Sequence, residues 1–206
     1  MTSKVLPLPV EELLGAIAAE ITFCPRCRLS KTRKKAVPGA GGAQSRLMLV
    51  GEGPGRNEDL EGKPFVGQAG RFLDALLTEA GLTRKQVFIC NLVRCRPPEN
   101  RDPLPDEIEA CAPYLNRQIA LIKPKGIVSL GKHSTAYMLS KAKMRFSNIA
   151  RARGKFYEIR LWGMQITIFP TFHPAAALYN GKCRDRLVED FRLLGKELVR
   201  IGIVEQ

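Results

Sequence analysis

The sequence predicts an α/β fold in which a mostly parallel sheet is covered by helices on both faces. Three observations predict it. Short apolar runs of strand length recur at 46–50, 86–91 and 125–131. Amphipathic stretches of helix length separate them, the alternation expected of parallel strands joined by helical crossovers. At 206 residues the chain is long enough to bury a core without help from disulfides.

Taken in order, residues 10–23 place Leu13, Leu14, Ile17 and Ile21 at helical spacing, and this first helix delivers Cys24 and Cys27 at its end. Residues 30–45 carry Lys31, Arg33, Lys34 and Lys35 ahead of Pro38, Gly39, Gly41 and Gly42, a composition that reads as a mobile basic connector. The strand at 46–50 runs into Gly51-Glu52-Gly53-Pro54-Gly55. Glycines packed this densely let backbone amides approach a ligand closely, because no side chain stands in the way. A dinucleotide fingerprint would need glycine where this chain has Arg56, and the next helix, expected over 70–77, starts too late to cradle a pyrophosphate.

Residues 86–91 form the second strand, with Asn91 at its end. Pro97, Pro98 and Pro103 exclude regular structure from 95–103 and leave a long basic loop. Pro105, Asp106 and Glu107 open a helix well, and it carries Cys111 and runs through Tyr114, Leu115, Ile119 and Leu121. The third strand, 125–131, precedes a helix at 133–141. Short strands at 156–161 and 165–169 flank Trp162-Gly163 as a hairpin, and an amphipathic helix closes the chain from 184 to about 200. Ligands in such sheets bind beyond the carboxyl ends of the strands. The 51–55 loop, Asn91 and His173 each follow a strand, so they are expected on one rim.

Lysine and arginine number 33 against 20 acidic residues, a formal charge of +13. That excess attracts polyanions, nucleic acid first among them. No apolar run approaches the ~20 residues needed to cross a membrane, and no signal-peptide pattern opens the sequence. An intracellular, cytoplasmic protein is therefore expected. In that setting six cysteines suggest metal ligation rather than disulfides. Cys24 and Cys27 have the two-residue gap that lets both thiolates meet one centre, and Cys95 and Cys111 can complete a four-sulfur site for zinc or for an iron–sulfur cluster. Spacing does not choose between them.

Gly51–Gly55, Glu58-Asp59, Gly62-Lys63-Pro64-Phe65-Val66-Gly67, Asn91 before Cys95-Arg96-Pro97-Pro98, and His173-Pro174 together resemble the iron–sulfur branch, family 4, of the uracil-DNA glycosylases, over about residues 24–191. The resemblance implies one three-layer α/β/α domain over 1–206, built on a central, mostly parallel four-stranded sheet. It implies a base excision repair enzyme that flips uracil from single- or double-stranded DNA and hydrolyses its N-glycosidic bond. A prokaryotic, monomeric protein is expected. A sliding clamp enters as a partner through some relatives, although no clear clamp-binding motif is found at either end.

The same resemblance assigns roles by position. Phe65 is the platform that stacks on the flipped base, and Gly51 and Gly53 approach uracil through their backbone. Asn91 offers one donor and one acceptor, which suits the O4 and N3–H edge of uracil and opposes that of cytosine. His173 donates towards O2, and Glu52 positions or polarises the attacking water. Cys24, Cys27, Cys95 and Cys111 hold a 4Fe-4S cluster whose role is structural. Leu178, with Tyr179 as the alternative, is the wedge that replaces the flipped base, and Arg151, Arg153 and Lys155 contact phosphates. Cys90 and Cys183 are free thiols, and His133 is structural. Two other readings remain open on the residues: a non-catalytic DNA-binding protein with a Cys₄ metal centre, and a glycosylase of broader specificity for deaminated bases.

Overall fold

A computed structural model describes residues 8–204. Its centre is a sheet of five strands, β1 (Leu47–Gly51), β2 (Val87–Asn91), β3 (Gly126–Leu130), β4 (Tyr157–Leu161) and β5 (Met164–Thr171), in the order β2-β1-β3-β5-β4. The pairs β1–β2, β1–β3 and β3–β5 are parallel. These four strands are the expected parallel sheet. The fifth is a correction to the four-stranded expectation: β4 adds antiparallel to β5 at the sheet edge. Trp162 (φ 49°) and Gly163 (φ 78°) both adopt left-handed backbone at the hairpin tip, the conformation that matches strand twist in a two-residue turn.

Every residue of β1, β2 and β3 is buried, as expected of parallel strands covered on both faces. Leu47 and Leu49 face one core with Phe72, Leu76, Phe191 and Leu194, which come from α3 (Gln68–Glu79) and α7 (Gly181–Arg200). Met48 and Val50 face the other with Leu115 and Ile119 of α4 (Pro105–Ile122) and Met138 of α5 (Lys132–Lys141). A third cluster joins Ile17 and Ile21 of α1 (Val10–Thr22) to Val93, Cys95, Cys111 and Tyr114. By alternating its burial, β4 shows one face to water.

Two local expectations change. Residues 30–45 are a packed segment rather than a mobile connector. Val37 donates to Arg94 O (2.8 Å), and Ala40 exchanges both backbone bonds with Ile89, which covers part of the open edge of β2. Gly41 permits that approach, since a Cβ there would lie 2.4 Å from Val87 O. A short helix, α2 (Arg56–Glu61), starts directly after Gly55, where none was expected before residue 70. It has almost no apolar face, and Leu60 is 44% exposed. Polar bonds hold it instead: Glu58 accepts from Gly55, Val66 and Gly67, and buried Asp59 accepts from Lys34 N.

Candidate active site and cysteine centre

A cleft of about 410 Å³ opens beyond the carboxyl ends of β1 and β2. Gly51 and Asn91 are register partners, so these last residues of two parallel strands lie side by side. The pairing requires glycine: a Cβ on Gly51 would come within 2.3 Å of Asn91 Oδ1 and 2.8 Å of Phe65 Cζ. Asn91 is 1% exposed, yet its Oδ1 has no hydrogen-bond partner among the described residues. A buried amide oxygen left without a partner costs about 1–3 kcal/mol, so a ligand atom that satisfied it would be favoured.

Phe65 stands over this amide, buried, with φ 52°. A left-handed backbone on a bulky residue is an outlier that costs on the order of 1–3 kcal/mol and needs outside support. Arg84 supplies it, donating to Pro64 O (3.0 Å) and Phe65 O (2.6 Å) while paired with Asp74. Gly70 lets the loop close, because a Cβ there would collide with Phe65 O.

His173 follows β5 and stacks on Phe65, ring centroids 5.5 Å apart at 25°. Ala175 N donates to its Nδ1 (3.2 Å), so the neutral ring carries its proton on Nε2. Burial lowers the His173 pKa, against the opposing influence of the Glu52 and Glu58 carboxylates. The neutral tautomer with Nε2–H as donor is therefore favoured. Glu52 reaches across the rim, where His133 N, in the first turn of α5, donates to its Oε1 at 2.8 Å. A Cβ on Gly131 would come within 2.5 Å of that carboxylate.

The four cysteines expected to bind a metal centre converge on one small cavity under α1 and α4. Cys24 and Cys27 are half-buried and Cys95 and Cys111 buried, none of them in a disulfide. Burial pushes the Cys111 thiol up to about 12, and Arg94 N donates to its sulfur at 3.2 Å. Cys90 and Cys183 lie elsewhere in the core. Four thiols gathered in one cavity, which Arg26, Arg33 and Arg94 also line, suit a metal centre that would hold them as thiolates.

Residues 38–192 match the family described as the uracil DNA glycosylase superfamily. The chain belongs to that family. It is 54% identical over 186 residues to a type-4 uracil-DNA glycosylase of Saccharolobus solfataricus, covering 90% of this chain and 86% of that protein. A type-4 enzyme of Sulfurisphaera tokodaii is 53% identical, with 87% and 82% covered. One from Archaeoglobus fulgidus is 43% identical, with 90% and 93% covered.

Family membership leaves the surface residues to be placed one by one. Arg151, within α6 (Ile149–Ala152), and Lys155, just after it, are exposed, where a phosphate could reach them. Arg153 is engaged elsewhere: it pairs with both oxygens of Asp190 (2.9 and 2.7 Å) and donates to Arg186 O. Asp190 is 2% exposed and also accepts from Thr171 Oγ1. This arginine thus ties the turn after α6 to α7, whose Asp190 also holds Thr171 of β5. Leu178 is half-buried, whereas Tyr179 is 92% exposed and lines the cleft.

Sequence reasoning missed several residues of the rim. Asn100, Arg101 and Asp102 line the cleft from the 95–103 loop, and Arg101 is anchored on Glu107, whose side chain is fully buried. Among the described residues, ligand atoms of Glu52, Asp102 and His133 lie within 4.8 Å of one another. Asp102 also meets Lys132 Nζ at 2.6 Å, which holds its carboxyl below the ordinary range. His133, expected to be structural, thus stands against the cleft wall. No helix among the described residues is long and apolar enough to cross a membrane.

Proposed function

We propose that this protein is a DNA-repair hydrolase that removes uracil from DNA by cleaving its N-glycosidic bond, leaving an abasic site. The observation that carries this reading is the buried Asn91 amide oxygen, without a partner among the described residues, set against Phe65 and the Nε2–H of His173 in a chain of this family. The flipped base enters the cleft and shares the Phe65 face, while Asn91 reads its O4 and N3–H edge. Bond cleavage leaves negative charge on the departing base, and His173 stabilises it by donating to O2, helped by backbone amides near Gly53. Glu52, held by His133 N, orients the attacking water. A non-catalytic DNA-binding protein would have no use for this set.

Single-turnover assays on oligonucleotides with U opposite G, opposite A or unpaired test the reading, with T and hypoxanthine as controls. Abasic sites at U alone are the expected result. Cleavage at hypoxanthine would assign a broader glycosylase, and no cleavage from cluster-loaded protein would defeat the enzymatic reading. Tyr179 is the proposed wedge, so Tyr179→Ala should slow paired substrates about tenfold and unpaired U far less, since base unstacking costs a few kcal/mol only in a duplex. Equal slowing of both would remove Tyr179 from that role. Arg151 and Lys155 are the proposed phosphate contacts, and the protein acts as a monomer.

The His173 tautomer predicts a pH profile. Its lowered pKa keeps the ring neutral, so the single-turnover rate should not fall on crossing about pH 6.5, where an ordinary imidazole titrates. An inflection there that vanished in His173→Gln would contradict this. The folded protein also binds that proton less tightly than the unfolded chain does, so stability declines as pH falls through the ordinary imidazole range.

The four cysteines are read as ligands of a 4Fe-4S cluster. All four line one small cavity and none is in a disulfide, which supports a shared centre. The resemblance to the iron–sulfur branch is what favours a cluster over a single zinc ion at these ligands. When bound, the cluster supplies a structural cross-link among α1, the 95–103 loop and α4, and the hydrolysis exchanges no electrons.

A further inference from the structure

We propose that Arg33 belongs to the cluster site as a positioning residue that governs how firmly the cluster is retained, an inference that rests on the 4Fe-4S reading above. Lys31, Lys34 and Lys35 point to solvent, but Arg33 is half-buried and turned inward. One guanidinium nitrogen donates to Cys95 Sγ (3.1 Å) and to Cys24 O (2.9 Å), and the other donates to Thr22 O (2.8 Å). A single planar fork therefore ties the end of α1, the Cys24–Cys27 turn and the Cys95 loop together.

Three features of this contact matter chemically. A cluster held by four thiolates is anionic, and a charge-assisted donor on a ligand sulfur stabilises that charge. A further sulfur contact, Arg94 N to Cys111 Sγ, comes from the neutral main chain and does not depend on the arginine side chain. Lysine could match the charge but not the geometry, because an ammonium cannot present the same rigid set of donors to acceptors on separate segments. The adjacent Lys34 N bonds Asp59 on α2, so the turn that grips the cysteine centre also touches the helix following the glycine loop. Partners that bond metal ligands typically contribute 10- to 100-fold to metal affinity.

The test compares full-length wild type with Arg33→Met, Arg33→Lys and, as a control on the same turn, Lys31→Met. Loss of the visible iron–sulfur absorbance is followed in excess chelator, with far-ultraviolet ellipticity recorded in parallel. Arg33→Met should lose absorbance about tenfold faster or more. Arg33→Lys should be intermediate and Lys31→Met unchanged, with absorbance falling before ellipticity. Loss at the wild-type rate in Arg33→Met overturns the proposal, as does absorbance that falls only in step with unfolding. If Arg33→Met does not fold, Arg33→Lys carries the same test against wild type. Wild type that binds zinc and shows no chromophore would instead defeat the cluster reading itself.

Discussion

Replacing Asn91 with alanine is expected to lower single-turnover uracil excision about 10³-fold, because a site built to hydrogen-bond its substrate loses most of its discrimination when that bond is removed. The same change should leave DNA affinity within about twofold, since phosphate contacts dominate binding and none is touched. Thermal stability gives the sharper signature. Asn91 is buried with its amide oxygen unpartnered, so alanine removes an unsatisfied polar group and the melting temperature should hold or rise. A residue kept for structure would do the reverse, losing stability along with rate. Measuring both quantities on one protein separates the two cases, and a rate within tenfold of wild type would take Asn91 out of uracil recognition.

That trade of stability for function also explains what could be read in the sequence. The rim was legible because Gly51, Asn91 and His173 each follow a short apolar run, and parallel strands bring such positions to one edge. The helices with an apolar stripe were legible for the same reason. Helix α2 was not, since Glu58 and Asp59 hold it through bonds to residues outside it rather than through periodicity. The residues that support the site were equally hidden. Arg84 acts on Phe65 from 19 positions away, His133 on Glu52 from 81, and Arg33 on Cys95 from 62. Nothing local marks such pairs. Arg153 shows the converse error: in a basic run it reads as a phosphate contact, but Asp190, 37 positions later, takes its guanidinium inside the fold. The sheet has five strands rather than four because β4, legible as one arm of the hairpin, joins β5 antiparallel at the edge, outside the parallel pattern.

Glu52→Gln carries the second large effect, a fall of about 10²–10³-fold in single-turnover rate with uracil binding nearly unchanged, the range lost with a well-placed acid–base group. Glutamine keeps an oxygen that can still accept from His133 N, so the side chain should stay in place while its charge disappears. Charge is what the reaction asks for. Positive charge grows on the sugar as the bond breaks, and water attacks it better when a carboxylate accepts the water's proton. Asp102 sits close enough to Glu52 to share the task, and Lys132 keeps it ionised. Asp102→Asn alone should therefore cost less than Glu52→Gln, and the double variant should cost less than the product of the two if both carboxylates act on one water. A wild-type rate in Glu52→Gln together with a large loss in Asp102→Asn would move the water-orienting role across the rim to the 95–103 loop. Wild-type rates in all three variants would show that hydrolysis proceeds without a carboxylate and rests on the donors at O2.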